Sequence, residues 1–230
     1  MTDILWQEAV EAVRPYVVRL STPEHAGSAF LFAVAAEGGI CGFATAAHAL
    51  AHASAWEQPV RIEHAASGFE RLLRPTERSI VIDEETDTAA LVFLRDDFPL
   101  PDTLLPMTPE HVAYRVGVEV GWVGFPSVAR DRLCFFSGRI SSWNAEQQTY
   151  LVDGVAVNGV SGGPAFHVDE AGQPVLLGVV SAYLPNKAAG GALPGLSVIQ
   201  HIGHLEKWVA SLRSLEGAYR SRTTRREPSR

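Results

Sequence analysis

The stretch Gly159-Val160-Ser161-Gly162-Gly163-Pro164 sets one serine hydroxyl among glycines whose backbone can come close to a reacting carbonyl. A serine hydroxyl is a poor nucleophile at neutral pH. Acyl chemistry on it needs a base beside it, a group that orients the base, and donors for the developing oxyanion. Two upstream segments offer the first two, Thr45-Ala46-Ala47-His48 and Asp87-Thr88-Ala89-Ala90-Leu91. His48, Asp87 and Ser161 thus read as base, orienting acid and nucleophile. The natural oxyanion donors are the backbone N–H groups of Gly159 and Ser161, because a side chain at the glycines would block the turn that directs amides inward.

Each piece alone has an ordinary explanation. A serine in a Gly-rich turn is usually a turn residue, a histidine can end a strand, and an aspartate can cap a turn. Their order, and the apolar runs beside each, favour the catalytic reading.

These motifs resemble those of the chymotrypsin-like, trypsin-fold serine peptidases, and in particular the bacterial protease domains of the HtrA type. The resemblance runs from about Val17 to near Leu212. It includes Gly27-Ser28-Ala29-Phe30-Leu31, Val120-Gly121-Trp122-Val123-Gly124-Phe125-Pro126, Ser137-Gly138-Arg139-Ile140-Ser141, Asp153, Gly178-Val179-Val180-Ser181 and Pro194-Gly195-Leu196-Ser197-Val198. The resemblance implies an all-β fold of two six-stranded Greek-key barrels with short helices at both ends. It also implies a serine endopeptidase acting on protein or peptide substrates. Val155, Ala156, Val157, Ser181, Ala182, Tyr183 and Gly195 would line the substrate site. Val155 stands where trypsin-like members place a carboxylate, which predicts small or medium apolar side chains before the cut. Val160 stands where digestive members carry the aspartate that pairs with a newly cut N-terminus, so that route of activation lacks its acid. No peptide-binding PDZ module is expected, and the sequence is compatible with an activating protein partner. A peptide-binding module on the same fold, triggered or without turnover, is the alternative from another functional class.

Periodicity divides the chain in the same way. Ile4, Leu5, Ala9, Ala12 and Val13 recur at helical spacing, and short β-rich runs follow from Tyr16 to Leu94 between Gly, Pro and charged turns. Residues 1–98 form a helix and first barrel, 99–112 a Pro-rich linker, 113–215 a second barrel and terminal helix, and 216–230 a basic tail without stable structure. The terminal helix is marked by Ile202, Leu205, Trp208, Val209 and Leu212.

Other chemistries fit less well. Gly159-Val160-Ser161-Gly162-Gly163 also satisfies G-x-S-x-G, yet an elbow serine opens a helix, and Gly162, Gly163 and Pro164 are poor helix residues. His48 and His52 are four apart, but the glutamate of H-E-x-x-H is missing. No metal or cofactor is expected, and no aromatic-basic stripe suggests nucleic acid. A start without basic residues, no long apolar run and only two cysteines predict a cytoplasmic protein without a membrane span. The excess of 17 arginines over 2 lysines points by association to a bacterial source. The net charge of −7 is uneven, because residues 213–230 carry six arginines and two glutamates. A solvated tail accounts for that segment.

Overall fold

The computed structural model describes residues 2–35, 39–188 and 191–210, with side chains described for a subset of these. Helix α1 (Thr2–Val13) leads through a 3-10 turn at Arg14–Tyr16 into the first sheet. Its strands are β1 (Val17–Ser21), β2 (Ala26–Val34), β3 (Ile40–Ala46), β4 (Val60–His64), β5 (Glu70–Leu73), β6 (Arg78–Asp83) and β7 (Thr88–Leu94). Helix α2 (Ala47–Ala55) interrupts them after β3. The second set is β8 (Glu119–Gly124), β9 (Cys134–Asn144), β10 (Thr149–Asp153), β11 (Pro164–Val168), β12 (Pro174–Ala188) and β13 (Gly191–His201).

Neighbouring strands pair antiparallel throughout both sheets. The second set closes into a six-stranded barrel in the order β10-β13-β12-β11-β8-β9. The first is a curled seven-stranded sheet, β5-β4-β1-β2-β3-β7-β6. It therefore carries one strand more than the six expected, and its two edges, β5 and β6, are the strands that the β-rich runs did not reveal. Both are poor in apolar alternation. β5 reads Glu-Arg-Leu-Leu with only Leu73 fully buried, and β6 reads Arg-Ser-Ile-Val-Ile-Asp with no fully buried residue. Charged, half-exposed edge strands resist pairing with other chains but give little sequence signal.

The central strands show the opposite pattern. Seven of the nine residues of β2 are buried, as are six of the seven of β3, so both faces of this sheet region are covered. The apolar core of the first sheet is continuous with Val123, Phe125, Phe166 and Val179 of the second half. A separate cluster of Val120, Trp122, Tyr150, Val160, Val180 and Ile199, among others, fills the closed barrel.

Two segments tie the halves together. In α1, Ala9 and Val13 are fully buried in the larger cluster, while Trp6 lies on Phe135 and Phe166 at centroid distances of 5.3 and 5.8 Å. Gly121 is required beneath that indole, because a Cβ there would come within 2.6 Å of both Trp6 and Phe135. The Pro-rich segment after β7 buries Phe98 against Phe43, Phe69 and Phe93. It then runs beside β12, where Thr108 N–H donates to Leu176 O and Leu176 N–H donates to Pro106 O, both at 2.8 Å.

At the C-terminal end, Ile202–Leu205 form a 3-10 turn and residues 206–210 are helical. Trp208 is buried against Phe32. Leu212 and the basic tail lie outside the described residues. Among the described residues no helix is long and apolar enough to cross a membrane.

Trp6→Ala should therefore loosen both halves at once. The expected loss is about 2 kcal/mol of unfolding free energy for this half-buried indole, read as a lower urea midpoint in one transition.

Candidate active site

Asp87 begins as a backbone feature. It sits in the turn between β6 and β7 at φ 47°, a left-handed conformation that aspartate tolerates better than most residues. That turn brings it to the start of α2, where its carbonyl accepts from Ala47 N–H at 3.0 Å and its Oδ1 accepts from His48 N–H at 3.1 Å. The residue before α2, Ala46, has no side chain able to cap the helix, so Asp87 supplies the cap from across the sheet. The same carboxylate faces the ring of the helix's second residue, with His48 Nδ1 at 3.0 Å from both oxygens. Ser181 on β12 completes the arrangement by donating its hydroxyl to Asp87 Oδ2 at 2.5 Å.

The electrostatics follow from these bonds. For His48 the hydrogen bond to Asp87 is the largest influence, and together with the nearby negative charge it raises the imidazole pKa above its ordinary value against the opposing effect of burial. For Asp87 burial pushes the carboxyl upward, but the hydrogen bonds from His48 and Ser181 outweigh it and hold the pKa below the ordinary carboxylate value. Asp87 is thus ionised throughout the range in which His48 titrates.

Ser161 lies in the turn between β10 and β11. Its carbonyl accepts from Ser28 N–H on β2 at 2.9 Å. The flanking glycines are there for geometric reasons. Gly159 has φ +92° and Gly162 φ +86°, and a Cβ at Gly162 would fall 2.1 Å from both Ser28 O and Thr45 Oγ1. At Gly159 a Cβ would fall 2.4 Å from Phe125 O.

Gly159 is gripped on both sides. Asn158 O accepts from Ser127 N–H at 2.7 Å, and Gly159 O accepts from the Ser28 hydroxyl at 2.8 Å. A planar trans peptide directs its N–H opposite to its C=O, so the Ser127 bond turns the Gly159 N–H away from the Ser127 amide. Among the described residues neither Gly159 N–H nor Ser161 N–H has an acceptor, and both residues line a cleft of about 580 Å³ together with His48. Two free backbone donors beside a serine hydroxyl can bind an oxyanion. Among the described residues Ser161 makes no hydrogen bond to His48, although both face this cleft.

Val160 points the other way. It is fully buried with Trp122, Tyr150 and Val180 in the second barrel, so apolar packing holds the turn at the position where an acid was noted as missing.

The expected substrate residues fall elsewhere. β13 pairs with β10 through Asp153↔Leu196 and with β12 through Tyr183↔Ser197, which collects residues 155–157, 181–183 and 195 at one end of the barrel. Ala156 and Ser181 are buried, Val157 and Gly195 are half-buried, and Val155 and Ala182 are exposed. The side chain of Tyr183 lies outside the described residues. None of these residues lines the cleft that holds Ser161. Three partners of the turn and the acid were not read as such from the sequence. Ser28 and Ser127 bond backbone carbonyls far along the chain, and the bond from Ser181 to Asp87 spans 94 residues. His52, weighed above as a ligand, faces Gln58 Oε1 at 3.1 Å instead.

No family model matches the chain, and no curated protein sequence matches it. Solved structures do. An inactive form of Rv3671c from M. tuberculosis aligns at TM-score 0.61 and 19% identity, covering 92% of this chain and 93% of that one. Deg5 aligns at TM-score 0.65 and 17% identity over 90% of this chain and 92% of that one. The HtrA-type protease AlgW, solved with a tripeptide, aligns at TM-score 0.65 and 20% identity over 90% of this chain and 63% of its own.

Two outcomes follow from this geometry. NMR titration should give His48 a pKa above the ordinary value of 6.5, and Asp87→Asn, which keeps the left-handed turn accessible, should bring it down. Val160→Asp should cost about 3 kcal/mol or more in a urea melt, because a carboxyl would be buried among Trp122, Tyr150 and Val180. From the closed barrel, the curled partner sheet and these alignments, the chain has the trypsin-like fold of HtrA-type serine proteases.

Proposed function

We propose that the protein is a serine endopeptidase that hydrolyses peptide bonds through an acyl-enzyme on Ser161. The observation that carries this reading is one cleft lined by His48, already hydrogen-bonded to Asp87, and by Ser161 and Gly159, whose backbone amides have no acceptor among the described residues. In the first step His48 Nε2 takes the Ser161 proton as Oγ attacks the scissile carbonyl. The Gly159 and Ser161 amides hold the resulting oxyanion, and His48 then protonates the departing amine. Water repeats the sequence in the second half, releasing the acid product and restoring the serine. Asp87 keeps the His48 proton on Nδ1 and stabilises the imidazolium.

Substrates are proteins or peptides. Residues 155–157, Ser181, Ala182, Tyr183 and Gly195 form the site for the side chain before the cut, where Val155 offers no charge to lysine or arginine and small or medium apolar residues fit. The acyl half of the substrate pairs with the edge around Ser181, by strand addition.

One observation favours a second reading, a triggered protease or a peptide-binding module. Among the described residues the Ser161 hydroxyl makes no hydrogen bond to His48, and a nucleophile without its base is not yet activated. Such bonds also tighten only on substrate binding in many enzymes, so acylation decides between the two.

The test is labelling with a fluorophosphonate, with the adduct located by mass spectrometry. An adduct on Ser161 in the wild type, absent in Ser161→Ala and His48→Ala, is the expected result. Absence of any adduct would favour the binding module. The labelling rate should rise with pH through a pKa above 6.5, since the base must be neutral and Asp87 raises its pKa. Ser28→Ala should slow labelling about tenfold, because Gly159 O and Phe125 N–H, at 2.8 and 2.9 Å from the hydroxyl, both lose their partner.

A further inference from the structure

The cleft at Ser161 extends to one side only. Beyond His48 and Gly159 its walls are the β1–β2 hairpin, from Ser21 to Ala26, and the segment carrying Ser127 and Arg130. A second cavity of about 220 Å³ adjoins it, sharing Ser21, Ala26, Ser127 and Arg130 and adding Arg19 and Arg61. No residue of the 155–157, 181–183 or 195 group lines either space. If those residues hold the acyl half of a substrate, the two cavities lie on the leaving-group side of the scissile bond.

The lining of the second cavity carries charge of one sign. Glu24 lines the first cavity, but the second contains three arginines and no acid. Two of the arginines are already matched. Arg19 pairs with Glu63, and Arg61 Nη1 lies 3.2 Å from Glu70 Oε2. Arg130 is different. Its Nε donates to Ser127 O at 3.3 Å and its carbonyl accepts from Arg19 Nη1 at 3.0 Å, which fix the stem and the backbone. Among the described residues its guanidinium has no carboxylate partner. A guanidinium anchored through Nε keeps its two terminal nitrogens for a planar acceptor, the geometry that suits a carboxylate. The chain as a whole is acidic, at −7, so this attraction acts at short range rather than through the protein's overall field.

We propose that the arginine-lined cavity is a subsite for a substrate carboxylate located within the first few residues after the cut, with Arg130 as the residue that binds it. The carboxylate is either an Asp or Glu side chain or the substrate's own C-terminus. The inference rests on the protease reading above, and it adds a requirement on the leaving half that the apolar preference before the cut does not contain.

The experiment uses the full chain and fluorogenic peptides. Glu and Gln are exchanged in pairs at each of the first four positions after the cut, and each peptide is made with a free and with an amidated C-terminus. Wild type, Arg130→Ala and Arg130→Glu are compared by the ratio of kcat/KM within each enzyme, so that a general change in activity cancels. The wild type is expected to prefer Glu at one position by about three- to tenfold, and less so at about 0.5 M salt. In Arg130→Ala the ratio should fall to about one, and in Arg130→Glu it should invert. A preference that follows the free C-terminus instead, and is lost on amidation, identifies the terminal carboxylate as the ligand. Ratios near one at every position in a cleaving wild type, or a preference that survives in Arg130→Ala, overturn the subsite and leave the protease reading intact. Absence of both cleavage and Ser161 labelling overturns the protease reading, and the subsite falls with it.

Discussion

The buried Ser28 hydroxyl joins the two halves of this molecule beside Ser161. Ser28 on β2 donates from Oγ to Gly159 O and accepts there from Phe125 N–H, while its own amide donates to Ser161 O and its carbonyl accepts from the Thr45 hydroxyl at 2.7 Å. Each of these groups is removed from water, and a buried polar group left unpaired costs far more than a paired one returns. The turn carrying Ser161 is consequently held in one position relative to β2 and β3. His48 is the second residue of the helix that follows β3, so Ser161 and His48 are held in place through the same few bonds.

Asp87 plays the corresponding part for His48. It caps α2 through its backbone and side chain, and it orients the imidazole through that same carboxylate. The positive end of a helix favours a negative charge at this spot, so the local fold and the proposed chemistry ask for the same ionised aspartate. Ser181 adds a hydroxyl from the second barrel. The triad candidates are thus assembled across the junction between the halves, which accounts for the tight glycines there. Gly124, like Gly162, would place a Cβ under 3 Å from a Ser28 atom.

The turn at Gly159 also shows how apolar burial can replace an ion pair. Val160 anchors it in the second core, and the Ser127 amide and Ser28 hydroxyl take the two carbonyls that flank the Gly159 peptide. In this arrangement the orientation of the Gly159 peptide is set by Ser28, Ser127 and the buried Val160.

Much of this was legible in the chain itself. The order of His48, Asp87 and Ser161, the glycines around the serine, the twin sets of β-rich runs and the opening helix all rest on local composition and periodicity. The edge strands β5 and β6 were not legible, because half-exposed strands with charged residues lose the alternation that marks a strand. Neither were Ser28, Ser127 and Arg130. A serine that bonds a carbonyl 131 residues away, and an arginine that has no carboxylate partner among the described residues, look like any other polar residues in sequence. By itself the sequence determined which residue types are present and where local propensity allows turns and strands. Only the tertiary structure decided which amides are left without acceptors and which charges lack partners, because both depend on groups brought together from distant strands.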